Sequence, residues 1–203
     1  LNTRANNSKE RILTVAEALI LKQGFAGTSI DDVLDHAAIT KGGFFYHFKG
    51  KTDLAKSLVE RYLATDEEIF SGMFKRADEL SEDPLQRLLI FLKLMAEMMA
   101  DLESTHPGCL VAGFSYESQQ LNEEVHALMK RGVLNWREMI VGRLQLVLAE
   151  REPRVEVSVD SLGDMFTSSI EGGIILALVL GDNTVLVEQI LNYRTHLRLL
   201  FEY

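Results

Sequence analysis

Residues 28–51 read Thr-Ser-Ile-Asp-Asp-Val-Leu-Asp-His-Ala-Ala-Ile-Thr-Lys-Gly-Gly-Phe-Phe-Tyr-His-Phe-Lys-Gly-Lys. The stretch divides into two short helices joined by a tight turn. Ile30, Val33, Leu34 and Ala37 recur at three- and four-residue steps, which gives the first helix one apolar side. Thr28 or Ser29 stands at its N-cap, and Asp31 and Asp32 fall in its first turn, where the helix dipole favours negative charge. Ala38-Ile39 supplies the turn, and Thr40 caps the second helix, which carries Lys41, Gly42, Gly43 and the aromatic run Phe44 to Phe48. A helix pair of this kind exposes one helix that can enter a DNA major groove.

Upstream, Ser8 reads as the cap of a first helix, and Asn7 with Glu10 also fits a capping-box spacing. Ile12, Leu13, Ala16, Leu19 and Ile20 form its apolar stripe, Gly24 ends it, and Phe25 is expected to pack back onto the stripe. Downstream, a long helix is expected from Lys51 to about Lys75. Asp83-Pro84 then opens another, with proline at its first position. A short helix follows Pro107-Gly108 from Cys109 to about Glu117, and a long one covers about 122–150. Residues 152–157 read as a loop. A final helix pair occupies about 158–180 and 184–201, with Gly181-Asp182 between. The fold class is therefore all-α. An N-terminal three-helix helix-turn-helix domain is expected over 1–50, and a larger helical ligand-binding and dimerisation domain over 51–203.

Composition narrows the possible functions. The chain has 203 residues, 47% of them hydrophobic and 25% charged, with three prolines and one cysteine. A single cysteine excludes an internal disulfide and fits a reducing compartment. The longest apolar run, Ile174 to Leu180, is short for a bilayer span, and no signal-peptide pattern opens the chain, so a cytoplasmic protein without membrane contact is expected. Net charge is −9, but it is unevenly placed. Residues 1–51 hold seven lysines and arginines to five acids, and the remaining 152 hold fourteen to twenty-five. Only the N-terminal quarter tolerates phosphate, and the acidic remainder repels it.

Several residues of the second short helix read as DNA contacts. Gly42 and Gly43 each cost about 1 kcal/mol inside a helix, a loss that close approach to DNA would explain. Thr40, Lys41 and Phe44 lie on the N-terminal half, the part that usually meets base edges. Lysine donates to guanine O6 and N7, and a threonine or phenylalanine meets a thymine methyl. Tyr46 and His47 offer donors to phosphate. Lys51 sits at the start of the next helix, where backbone N–H groups also face an anion. Phe48 reads as core.

The Thr-Ser-Ile-Asp-Asp-Val run, Ala-Ile-Thr-Lys-Gly and above all Phe-Tyr-His-Phe-Lys-Gly-Lys resemble the N-terminal signature of the TetR family of bacterial transcriptional regulators. The likeness covers about residues 8–60, with Gly24, Thr28, Tyr46, Phe48 and Lys51 at the family's spacing. It implies an all-helical homodimer in which three helices bind a double-stranded DNA operator and the C-terminal body holds a small-molecule effector whose binding releases the DNA. It also implies phosphate contacts from Tyr46, His47 and Lys51, with another from Thr28. The double glycine followed by Phe44 departs from the usual base-reading residues, so the operator sequence is not read from it.

In the body, Phe91, Met95, Met98, Phe114, Trp136 and Phe166 are candidates for an effector cavity, because methionine adapts to irregular shapes and aromatic rings stack on flat ligands. Each is also an ordinary core residue. Few basic residues lie on the apolar faces, which favours an apolar or aromatic effector. Glu171, between two serines and two glycines in an apolar helix, is a further candidate, and a solvent-facing acid is its alternative. Cys109 opens a helix three residues after His106, a position that can activate a thiol, so a redox or electrophile sensor of the same fold is the alternative function. His106 and Cys109 lack two further ligands for zinc, and no metal or cofactor is expected. No catalytic constellation stands out, so an enzyme is not expected. The last two helices carry Ile170, Ile174, Leu178, Ile190, Tyr193, Leu197 and Leu200, more apolar surface than one partner helix needs, and a dimeric four-helix interface would use it.

Overall fold

The computed structural model describes residues 2–202, with side chains from Asn7 onward except Ser118. Among the described residues nine α-helices and one short 3-10 turn make up the secondary structure, with no strand. They are α1 (Asn2–Gln23), α2 (Ile30–Ala37), α3 (Lys41–His47), α4 (Lys51–Leu80), α5 (Pro84–Ala100), α6 (Leu110–Tyr116), α7 (Glu123–Leu148), α8 (Val159–Leu180) and α9 (Thr184–Phe201). The all-α class and the order of elements match the sequence reading. Two boundaries differ. α1 begins at Asn2, so Ser8 lies within the helix rather than at its cap, and α4 continues to Leu80.

The chain packs as two compact units. The first runs to Thr65 and takes in Pro107–Arg131, and the second comprises Asp66–His106 and Gly132 onward. α4 and α7 each contribute their first part to the first unit and the rest to the second.

The core of the first unit is the α1 stripe of Ile12, Leu13, Ala16, Leu19 and Ile20, packed with Val33 and Ala37 of α2 and with Phe44 and Phe48. α1 lies against α2, α3 and α6. Gly24 terminates α1 at φ +80°, with its N–H donating to Ile20 O at 2.8 Å. Phe25 is buried, and its ring stands edge-on to Phe114 of α6 with centroids 5.3 Å apart. Arg61 of α4 is tied to α1 through Glu17 at 2.5 Å and Glu10 at 3.3 Å.

In the second unit α9 packs on α5 and α8. Asp83 caps α5 by accepting the Gln86 N–H at 2.9 Å, and Ser158 caps α8. An aromatic series crosses the interior. Phe74 stacks on Phe91 at 3.8 Å, Phe91 lies 6.1 Å from Phe166, and Phe166 lies 5.8 Å from Tyr193. The Tyr193 hydroxyl donates to Leu162 O at 3.0 Å, and burial pushes this phenol's pKa well up. Asp78 receives Arg143 at 2.6 Å and Arg87 at 3.7 Å.

Of the apolar residues expected at a dimer interface, Ile174, Ile190, Tyr193, Leu197 and Leu200 are buried within this unit. Leu178 is exposed, as are Ile175, Leu176, Val179 and Leu180. The adjacent glycines Gly172 and Gly173 of α8 divide in the same way. A Cβ on Gly173 would meet Leu186 Cδ1 at 2.9 Å, whereas one on Gly172 would meet nothing. By length and composition alone α8 is apolar enough to cross a membrane, a property the uninterrupted run did not reveal, and one third of its most apolar window is buried.

Candidate nucleic-acid interface

The geometry of the reading helix starts from its caps. Ser29 Oγ accepts the Asp32 N–H at 3.0 Å, while the Asp32 carboxylate accepts the Ser29 N–H at 2.8 Å, a complete capping box. The Ser29 bonds hold the Asp32 carboxyl below the usual range. α2 ends at Ala38 in the left-handed region, φ 48°, and Ile39 N–H donates to Leu34 O at 3.1 Å. This left-handed cap ends α2 and turns the chain into α3. Thr40 then caps α3 through the Gly43 N–H at 3.2 Å.

On α3 the side chains sort by phase. Phe44 is fully buried and Phe48 nearly so, while Phe45 is 47% exposed and Tyr46 76% exposed. The expectation that Phe44 meets a base is therefore overturned, because its ring fills the head's core against Phe48 at 5.5 Å. Phe45, one residue and about 100° further round the helix, takes the outward place. The glycine pair also splits. A Cβ on Gly43 would meet Ile39 Cγ2 at 2.9 Å, so packing within the head requires it. Gly42 faces open space, which leaves the backbone of α3 bare on the side that Thr40 and Lys41 share.

The remaining candidates differ in how available they are. Lys41 and Thr40 are exposed. His47 is half-buried and its Nε2 bonds Ser8 Oγ at 2.7 Å, so the hydroxyl expected to cap the first helix instead meets the ring expected to meet a phosphate. Thr28 is buried, 1% exposed, and its hydroxyl donates to Gly24 O at 2.8 Å, so its side chain fixes the turn before α2 and does not face a phosphate. Lys51 is half-buried. Its amine donates to Phe25 O and lies 4.3 Å from the Phe25 ring centroid, and burial lowers its pKa against the pull of Glu117 and Asp32. A cleft of about 450 Å³ lies beside α3, walled by Thr28, Ser29, Ile30, Lys41, Phe45 and Lys51.

The effector candidates do not come together as one set. Phe91, Met95 and Phe166 are buried in the second unit, with Met98, Trp136 and Glu171 half-buried there. Cys109 and Phe114 belong to the first unit. Cys109 is buried and its sulfur accepts the Ala112 N–H at 3.5 Å as the cap of α6. The Phe114 ring is occupied by Phe25.

A capped helix pair with a bare, cationic and aromatic outer face defines a helix-turn-helix DNA-reading head. Comparison with known proteins gives its family. Residues 12–58 match the bacterial regulatory proteins of the tetR family, and residues 84–190 match the tetracyclin repressor-like C-terminal domain. The chain belongs to the TetR family and is a DNA-binding transcriptional regulator. It is 28% identical to the HTH-type transcriptional regulator LmrA of Bacillus subtilis over 185 residues, covering 89% of this chain and 92% of LmrA. It is 33% identical over 119 residues to an uncharacterized HTH-type transcriptional regulator of Lactococcus lactis, of which it spans 58%. A TetR-family regulator from Agrobacterium tumefaciens has the same fold, with a TM-score of 0.80 at 21% identity, over 97% of this chain and 99% of that one.

Proposed function

We propose that this regulator is a ligand-responsive repressor that binds an inverted-repeat operator as a homodimer and is released by a small, mostly apolar or aromatic effector. The observation that carries the DNA reading is the outward face of α3, where Thr40, Lys41, Phe45 and Tyr46 surround the bare backbone at Gly42. Lys41 donates to base edges, Phe45 meets a thymine methyl, and Tyr46 binds phosphate. Thr28 and Lys51 serve by holding the turn in front of α2.

Two further features support the rest of the reading. The exposed stripe of Met165, Ile175, Leu176 and Val179 on α8, with Gly172 among them, suits close pairing with the same helix of a second copy. Phe74 stacked on Phe91, with Phe166 tilted beside it, gives the second unit an aromatic interior, which suits a planar, uncharged ligand. Enrichment of random duplex DNA on the purified protein tests the proposal, followed by a thermal-shift screen for compounds that release the enriched DNA. Enrichment of inverted repeats, released by apolar or planar compounds, is the expected result. Enrichment of no sequence, or release only by nucleotides or metal ions, would sink it.

A further inference from the structure

Glu117, at the end of α6, carries no motif in the sequence, and its carboxylate reaches the turn between α1 and α2. Its two carboxylate oxygens accept separate backbone N–H groups, Phe25 at 2.8 Å and Ala26 at 2.6 Å, across 92 and 91 residues of sequence. The opposite face of the same peptide is also held, because Phe25 O accepts from the Lys51 amine. The Phe25 ring is fixed by Phe114, three residues before Glu117. Gly24 makes the approach possible, since a Cβ there would lie 2.5 Å from Glu117 Oε1. An ionised acceptor on two backbone donors is among the stronger hydrogen-bond arrangements available at a protein surface.

What the carboxylate holds leads directly to the DNA-facing side. From Phe25 and Ala26 the chain passes to Thr28, whose N–H donates back to Phe25 O at 3.3 Å and whose hydroxyl donates to Gly24 O. Next comes Ser29, the capping-box residue of α2. Ala26, Thr28 and Ser29 form one wall of the cleft whose other wall is Lys41 and Phe45 of α3. We infer that Glu117 is a positioning residue for DNA binding: its carboxylate, reaching from α6 to the Phe25–Ala26 backbone, sets the α1–α2 turn and through it the placement of α3. The inference rests on the DNA-reading face proposed above. It makes the end of α6 part of the scaffold that holds the α1–α2 turn.

The test compares Glu117→Gln and Glu117→Ala with a control in the same unit, Glu124→Gln, which removes the acid paired with Lys56. Binding is measured to duplex DNA enriched on the wild type and to non-specific duplex, at a temperature where circular dichroism shows every variant folded. Glu117→Ala should bind the enriched DNA about tenfold more weakly, with unchanged affinity for non-specific DNA. Glu117→Gln, which keeps one acceptor, should fall between. Hydrogen exchange at the Phe25 and Ala26 amides should speed up in the same order. Wild-type affinity in folded Glu117→Ala would overturn the inference, as would equal losses on both DNAs or an equal loss in Glu124→Gln. If the wild type enriched no DNA at all, the DNA-reading face would fall and this inference with it, whatever the amide exchange showed.

Discussion

Phe44 and Phe45 stand edge to face with ring centroids 5.3 Å apart, yet one is sealed in the head's core and the other is half exposed on its reading face. On the proposed DNA reading, adjacent residues of one short helix divide folding from DNA contact. Phe44→Ala should destabilise the head by about 3–5 kcal/mol, the usual cost of emptying an aromatic core site. Phe45→Ala should leave stability within about 0.5 kcal/mol and weaken binding to enriched DNA. Chemical denaturation beside fluorescence titration separates the two. Equal stability losses would show that the phase assigned to α3 is wrong.

The glycine pair before them makes a complementary case. Gly42→Ala meets no atom and restores helix propensity, so it should stabilise the protein by up to about 1 kcal/mol while weakening DNA binding. Gly43→Ala must displace Ile39 and the Thr40 cap, and should gain no stability. A Gly42→Ala protein that was both more stable and fully active on DNA would mean that the bare backbone at this position is not used.

Lys41 and Tyr46 are exposed, Tyr46 with its ring edge-on to His47 at 4.9 Å. Tyr46→Phe should weaken binding to all sequences alike and flatten the salt dependence, as loss of a phosphate contact does. Lys41→Ala should also lose discrimination at particular base pairs, worth about 1–3 kcal/mol at each. Affinities measured across a salt series on enriched and scrambled DNA would check both, and identical behaviour of the two variants would count against the division of roles.

Much of this was legible in the sequence, and the failures have two causes, contacts far apart in sequence and a helix too short to show its phase. Helix starts at Ile30, Pro84 and Val159 were readable because Ser29, Asp83 and Ser158 act on backbone N–H groups within three residues of themselves. Ser8 misled because its hydroxyl is spent on His47, 39 residues away, so a local capping signal was in fact a tertiary contact. Glu117 carried no local signal, since its partners lie 91 and 92 residues upstream. The Phe44–Phe48 run could not be phased from sequence because five consecutive aromatic residues at the end of a two-turn helix leave no polar position among them to mark the outer face.

The dimer proposal needs residues that the fold itself does not consume. Val179→Glu and Leu176→Glu replace exposed apolar side chains of α8 and should split the dimer while leaving helicity intact. Leu197→Glu would bury an unpaired charge within one unit, because Leu197 is already fully covered there, and should unfold it. Sedimentation with circular dichroism tests this. A wild type that is monomeric at micromolar concentration contradicts the interface.

Acid should loosen the start of α5. Burial alone would push the Asp83 carboxyl up, but the Gln86 N–H and the Arg151 guanidinium outweigh it and hold it below its ordinary value of 3.8. A carboxyl with a lowered folded pKa contributes stability that is complete above the unfolded value and is lost as pH falls through the folded one. The Asp83 contribution, about 1 kcal/mol as a helix cap, should therefore be present at pH 5 and above and fade below about pH 4. Melting temperatures of Asp83→Ala and wild type should converge as pH drops through that window, and a constant gap would contradict the assignment.

The most direct test of the DNA-reading head is hydroxyl-radical footprinting on a fragment enriched by the wild type, repeated with Lys41→Ala. Two protected patches related by an inverted repeat, both lost or weakened in the variant, are expected from a two-fold dimer reading through α3. Protection of a single unrepeated patch, or an unchanged footprint with Lys41→Ala, would contradict it.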